Sequence, residues 1–276
     1  MKKGDLFPRC LINLYHRICC SNMLYYYNDY DSWEEASKAA SSYGKAYESE
    51  EIIKRVSEAT EVVRQGRAAF EQDGVLFDEY HYEYELLSCF FYILICEKSL
   101  SVCDFGGSLG STFYRYKGVL PEQQVEWSIV EQKHFVDYGK RNIPEISFDY
   151  TLAECIGNHH INVVLLHSVL PYISDPYELL RDITSSGVEY IIIDETVFNV
   201  DDSGKESIVL QHVPKRIYEA VYPSHIFDKK KMLAAIEDAG YRKVFDWIYP
   251  GGAIPTRTTF GFKDNIDRGF LFQKKH

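Results

Sequence analysis

The chain has 276 residues, 46% of them apolar and 26% charged, enough apolar content for one α/β domain with an extension. Its formal charge of −11 argues against a nucleic-acid partner, which needs a basic face. No run reaches the ~18 apolar residues of a transmembrane span, and seven cysteines, an odd number without metal-ligand spacing, point to reduced thiols in a cytoplasmic protein.

Met1 to Tyr27 mixes Lys, Arg and apolar residues. Pro8-Arg9, Asn13 and His16-Arg17 interrupt the apolar stretch and no small-residue cleavage site follows, which argues against a signal peptide. A docked N-terminal helix is expected, with peripheral membrane contact through residues 1–27 as the alternative. Ser32 and Glu35 have the spacing of a capping box, which predicts a short helix from Trp33 to near Gly44. Between Glu50 and Phe70, Ile52, Ile53, Val56, Ala59 and Val63 recur at helical spacing and predict a long amphipathic helix. Residues 1–72 are therefore expected to form a helical extension ahead of a domain at 73–276, either capping a ligand site or serving a homo-oligomer contact. Asp73-Gly74 breaks the chain, and Leu86 to Cys96 predicts an apolar helix.

Leu100 to Phe105 is an apolar run with one acid, Asp104, that breaks into Gly106, Gly107 and Gly110. This pattern predicts a buried strand turning sharply into a helix, with glycine bringing a ligand close to main-chain N–H groups. A second apolar strand, Trp127 to Glu131, ends in another carboxylate about 27 residues on, the spacing with which a Rossmann-like sheet holds a nucleoside. Asp104 would repel the pyrophosphate of a dinucleotide but suits a ligand carrying an ammonium group. Asp104, Gly106, Gly107, Ser108 and Gly110 are thus the leading binding residues, with Glu131 for the ribose hydroxyls and Gln132 beside the base.

Further strands are predicted near Ile146–Phe148, Asn162–Leu166, Tyr190–Asp194, Tyr241–Tyr249 and Gly269–Lys274, with helices at Lys133–Lys140, after Asp175-Pro176, and from Asp228 to Ala239. Their alternation means a doubly wound α/β fold. Asp149 is a candidate for the adenine amino group, with an ordinary loop carboxylate as the alternative. His167 and Ser168 leave the fourth strand at the carboxyl edge, where open sheets bind ligands; His167 is read either as a general base or as a polar ligand contact. Residues 196–227 form a substrate-side insertion carrying Tyr218, Tyr222, Pro223 and Phe227 as an aromatic lid. Glu195, His212 and His225 are the substrate-side candidates, because histidine titrates near the working pH of a base. His159-His160 lacks helical spacing and a third ligand, so no metal site is expected.

At Asp104-Phe-Gly-Gly-Ser-Leu-Gly110 the chain resembles the class I S-adenosylmethionine-dependent methyltransferases. Together with Asp73-Gly-Val-Leu-Phe-Asp-Glu79, Val130-Glu-Gln132 and Ser168-Val-Leu-Pro-Tyr-Ile-Ser-Asp-Pro176, it is similar to one bacterial family of methyltransferases often encoded among surface-polysaccharide genes. That resemblance covers Trp33 to the C-terminus. It implies a seven-stranded sheet closed by an antiparallel pair, S-adenosylmethionine as cofactor, and O-methylation of a small-molecule or glycan acceptor, a sugar of a polysaccharide precursor. Many related enzymes carry a Glu-His pair where this chain has Pro171-Tyr172, so that pair's role is not carried over. Two alternatives stay open: an inactive methyltransferase-like binding or assembly subunit, and an NAD(P)-dependent sugar oxidoreductase, against which stands the absence of a Tyr-x-x-x-Lys pair.

Overall fold

A computed structural model describes residues 23–43, 50–200, 205–214, 220–249, 253–258 and 261–276. The expected N-terminal helix and nearly all of the segment considered for membrane contact lie outside the described residues, as does Tyr218. Strand β1 (Tyr25–Tyr30) is followed by helix α1 (Trp33–Ser41), where the Ser32 side chain accepts the Glu35 amide and caps the first turn. Helix α2 (Glu50–Arg64), a short hairpin of β2 (Phe70–Gln72) and β3 (Val75–Phe77), and helix α3 (Tyr84–Glu97) come next. Strands and helices then alternate: β4 (Leu100–Phe105), α4 (Ser111–Tyr116), β5 (Val125–Val130), α5 (Lys133–Asn142), β6 (Ser147–Asp149), α6 (Leu152–Asn158), β7 (Val163–His167), α7 (Pro176–Ser186) and β8 (Tyr190–Asn199). The remaining elements are β9 (Ser207–Val213), β10 (Ala220–Ile226), α8 (Lys229–Glu237), β11 (Tyr241–Tyr249), β12 (Thr256–Thr258), β13 (Gly261–Lys263) and β14 (Asn265–Lys274).

The main sheet has seven strands in the order β11-β14-β8-β7-β4-β5-β6. Its first five strands in sequence run parallel, and β14 lies antiparallel to both β8 and β11. This is the expected Rossmann-like α/β sheet with its closing antiparallel pair. Helices cover both faces, which is why Val163 to Leu166 and Tyr190 to Ile193 are buried without alternation. One face packs α2, α3 and α5 through Val56, Phe90, Ile93 and Phe135; the other packs α7 and α8 through Leu180, Ile183, Met232 and Ile236. Strand order reverses at β4, which has β5 on one side and β7 on the other. The tips of β4 and β7 therefore border a topological switch point, where such sheets leave a ligand crevice.

A second sheet, in the order β10-β9-β1-β12-β13, corrects two expectations. Residues 23–72 are not an all-helical extension: β1 is a strand in this sheet, and α2 buries Val56 and Val63 in the main core. The described residues of 196–227 are chiefly strand rather than a lid set apart from the domain. Their start prolongs β8 to Asn199, β9 and β10 form a hairpin, and Phe227 is buried in the main core. Side chains alternate across the second sheet. Tyr25, Tyr27 and Leu210 pack against α1, while Tyr26, Val209 and Ile226 pack on Val197 of the main sheet. No helix among the described residues is long and apolar enough to cross a membrane.

Candidate active site

The β4–α4 turn is pinned by the Gly106 amide, which donates to the Val130 carbonyl of β5 at 2.8 Å. Gly106 has φ +77, and a Cβ there would fall 2.4 Å from Val169 Cγ2, so both conformation and space demand glycine. At Gly107 the demand is space alone, since a Cβ would lie 2.5 Å from the Asp104 carboxylate. Asp104 is 1% exposed, and its side-chain donor is Trp127 Nε1 at 3.2 Å. Burial pushes its pKa up to about 6, against the opposing pull of His167 and Trp127. A buried carboxylate served by one neutral donor among the described residues is an unfinished site.

Glu131 follows the tip of the neighbouring strand β5. Its carboxylate accepts the Gln132 amide at 2.5 Å and is also held by the Ser108 amide of the glycine turn. Burial raises its pKa to about 7, with those amides opposing and Asp104 reinforcing the rise. Asp104 and Glu131 thus flank one turn, with Gln132 exposed beside them at the start of α5. Asp149 is different. Asn158 Nδ2 donates to one of its oxygens at 3.0 Å and His159 Nε2 meets the other at 2.9 Å, so the carboxylate fastens α6 to β6. Those bonds fit the alternative of an ordinary structural carboxylate.

His167, at the tip of β7, places Nδ1 3.0 Å from Asp194 Oδ2. Its Nε2 lies 3.8 Å from Glu195 Oε2 and 4.0 Å from Glu83 Oε2. Burial alone would depress the imidazole pKa, but Glu195, Asp194 and Glu83 outweigh it and raise the pKa to about 10. Three surrounding carboxylates favour the protonated imidazolium, which supports reading His167 as a polar contact at the site rather than as a general base. Asp194 is fully buried and accepts further bonds from Trp247 Nε1 at 3.1 Å and the Tyr249 hydroxyl at 2.9 Å. Glu83 is also paired with the buried Arg115, which lies 4.4 Å over the Phe70 ring. Ser108, Ser168 and Glu195 all have positive φ, at +55, +54 and +44. Non-glycine residues in this region store strain, and these three border the same crevice.

Between these tips and the inner face of the second sheet lies a cavity of about 290 Å³. Its polar lining is Tyr26, Ser168, Tyr172, Glu195, Tyr249 and Asp267. The Tyr172 hydroxyl donates to Gln211 Oε1 at 2.8 Å, and Tyr26, kept protonated by burial, hydrogen-bonds with Ser224 and Tyr172. His212 and His225 do not reach it. His212 stacks on Tyr25 with ring centroids 4.8 Å apart, on the α1 side of the second sheet, and its Nδ1 meets the Met23 carbonyl at 3.2 Å. His225 lies against Trp33, centroids 4.8 Å apart, and against Phe227, with its pKa lowered by burial. Both are corrected from catalytic candidates to packing residues; on β9 it is the neighbouring Gln211 that lies on the opposite side of the sheet, buried behind Tyr172 of the cavity wall. The tertiary fold thus brings together Asp104, Gly106, Gly107, Ser108, Gly110, Glu131, His167, Ser168 and Glu195. It adds Glu83, Asp194, Tyr26 and Asp267. Asp194 carried a usable signal, since it ends an apolar strand beside Glu195.

No family model matches this chain, and no curated protein sequence matches it. Several solved structures are similar in backbone, three of them as follows. The N-terminal domain of EvdMO1, solved with SAH and D-fucose, is 13% identical over 78% of this chain and 97% of its own, with a TM-score of 0.46. A SAM-dependent methyltransferase from Methanosarcina mazei is 12% identical over 71% and 99%, with a TM-score of 0.47. The 1,6-didemethyltoxoflavin-N1-methyltransferase of Burkholderia thailandensis, bound to 1,6-didemethyltoxoflavin and S-adenosylhomocysteine, is 16% identical over 81% and 88%, with a TM-score of 0.44. None of these likenesses decides what this chain binds.

Proposed function

We propose that this chain is an S-adenosylmethionine-dependent methyltransferase acting on a small polar acceptor held beneath the second sheet. The observation that carries this reading is the buried, under-partnered Asp104 carboxylate against a glycine turn, at the switch point of the seven-stranded sheet. That constellation fits the cofactor's two ends. Asp104 receives the ammonium of the methionine moiety, and Gly106 and Gly107 keep the turn free of side chains. Glu131 receives the ribose hydroxyls, with Gln132 at the adenine and Ser168 and His167 on the methionine side. When bound, the cofactor supplies an electrophilic methyl carbon on a sulfonium.

The chain's own residues align the acceptor and handle its proton. The second sheet roofs the cavity and limits water, which favours an in-line approach of reacting atoms. Glu195 stands between the cavity and His167, and burial raises its pKa, strengthening it as a proton acceptor. It takes the proton of the acceptor hydroxyl, while Tyr26 and Tyr172 orient the remaining hydroxyls. The His167 imidazolium steadies Glu195 and is a positioning residue rather than a base. A sugar of a surface-polysaccharide precursor, O-methylated in the cytoplasm, is the acceptor the sequence resemblance implies. The size and hydroxyl lining of the cavity are consistent with one such ring.

Calorimetric titration with S-adenosylmethionine, S-adenosylhomocysteine and NAD tests the reading. Both sulfur ligands are expected to bind the wild type and to be weakened at least tenfold in Asp104→Ala, about 1.4 kcal/mol or more. Heat from NAD alone would overturn the methyltransferase reading.

A further inference from the structure

The cavity beneath the second sheet is more acidic than methyl transfer to a neutral acceptor requires. Two carboxylates line it, Glu195 from β8 and Asp267 from β14, and no Lys or Arg is among the lining residues. His167, the cation beside Glu195, is already matched by Asp194, Glu195 and Glu83. Asp267 is only partly exposed, and its carboxylate has no hydrogen-bond or ion-pair partner among the described residues. It acts electrostatically on Tyr26, whose hydroxyl network with Tyr172 and Ser224 forms the neighbouring wall. Burial and the charge of Asp194 hold its pKa at about 6, so at neutral pH it is an ionised group awaiting a donor.

Three classes of ligand would meet this wall differently. An anionic acceptor, such as a uronate or a phosphorylated ring inserted phosphate first, would face repulsion from both carboxylates. A neutral polyol would satisfy the tyrosines but leave Asp267 desolvated without a counter-charge. A protonated amine satisfies charge and hydrogen bonding together. With a volume of about 290 Å³, the cavity is at the small end for ligand sites and admits one ring rather than a nucleotide.

We propose that the acceptor carries a protonated amine, as an amino sugar does, and that Asp267 receives that amine while Glu195 faces the group to be methylated. This inference rests on the methyltransferase reading and deepens it. The test is calorimetric titration of protein saturated with S-adenosylhomocysteine, at pH 7.5, with D-glucosamine, D-galactosamine and D-mannosamine, each against its parent hexose, and with D-glucuronate. At least one amino sugar is expected to bind tenfold or more tighter than its parent, and glucuronate to bind more weakly than any of them. Asp267→Asn is expected to abolish the amine advantage while leaving S-adenosylhomocysteine affinity within twofold. An amine advantage missing from all three pairs, or one that survives in Asp267→Asn, overturns the inference. Failure of the wild type to bind S-adenosylhomocysteine overturns the underlying reading instead.

Discussion

His167 and Asp194 are in-register partners on the adjacent parallel strands β7 and β8, and their side chains meet at 3.0 Å. Asp194 also holds Trp247 and Tyr249 of β11, so one buried carboxylate ties the crevice to the far edge of the sheet. Asp194→Asn keeps the shape but removes the charge opposite an imidazolium. A loss of about 3–5 kcal/mol is expected, the usual cost of breaking a buried ion pair from one side. Urea unfolding of the variant measures it, and an unchanged midpoint would contradict the proposed role.

The same pair sets a pH dependence of stability. The folded pKa of His167, about 10, lies above the unfolded value near 6.5, so its contribution is complete below pH 6.5 and is lost as pH rises through 10. Unfolding free energy is expected to fall between pH 7 and pH 10 in the wild type and to fall less in His167→Gln. Nitrogen-15 spectra of labelled histidine should show His167 doubly protonated at pH 8.

Cofactor binding is expected to respond to acid in the opposite sense. Asp104 and Glu131 have pKa values raised to about 6 and about 7. In the ligand-free protein such carboxyls hold their protons above their unfolded values, so they cost stability as pH rises through that window. A cationic ligand and a pair of ribose hydroxyls both need the ionised forms. Affinity for S-adenosylmethionine should therefore climb at least tenfold from pH 5 to pH 7.5 and then level off, as one unit of pKa is worth about 1.4 kcal/mol. A flat profile in calorimetry would count against Asp104 and Glu131 as ligand groups.

Two glycine-to-alanine changes separate crowding from backbone preference. Gly107→Ala places a methyl 2.5 Å from the Asp104 carboxylate and should weaken cofactor binding at least tenfold. Gly157→Ala, in α6, meets nothing within 4 Å and lies in helical backbone, so it should stabilise by about 0.4–1 kcal/mol and leave binding unchanged. Thermal melts with and without S-adenosylhomocysteine distinguish the two.

The two sides of β9 should differ in their effect on catalysis. His212→Ala, on the α1 side of the second sheet, is expected to leave kcat/KM within about twofold. Tyr172→Phe removes the hydroxyl bonded to Gln211 at the cavity wall, a loss of about 1 kcal/mol that should raise KM roughly fivefold. Equal effects from both would mean the cavity is not the acceptor site.

Much of the cofactor crevice was legible from local patterns. Asp104, Gly106, Gly107 and Glu131 lie in a contiguous strand–turn–helix–strand unit, where apolar runs mark buried parallel strands and glycine marks the turn. Alternation alone gave a doubly wound α/β fold, and the seven strands with their closing antiparallel pair followed from the family resemblance. The acceptor side was another matter. β1 pairs with β9 and β12, far along the chain, and three tyrosines in a row do not name their partners. His212 and His225 looked chemical by residue type, but strand side chains alternate, and only the packing of the second sheet decides that Gln211 rather than His212 meets Tyr172 of the cavity wall. The charge on His167 was equally nonlocal, because Glu83 precedes α3 while Asp194 and Glu195 belong to β8. The sequence by itself determined the alternating elements of the main sheet and the glycine crevice, whose chemistry sits within short stretches of chain. Tertiary structure alone decided which face of each distant strand lines the acceptor cavity and which carboxylates share its field, since both depend on contacts between residues that no local period connects.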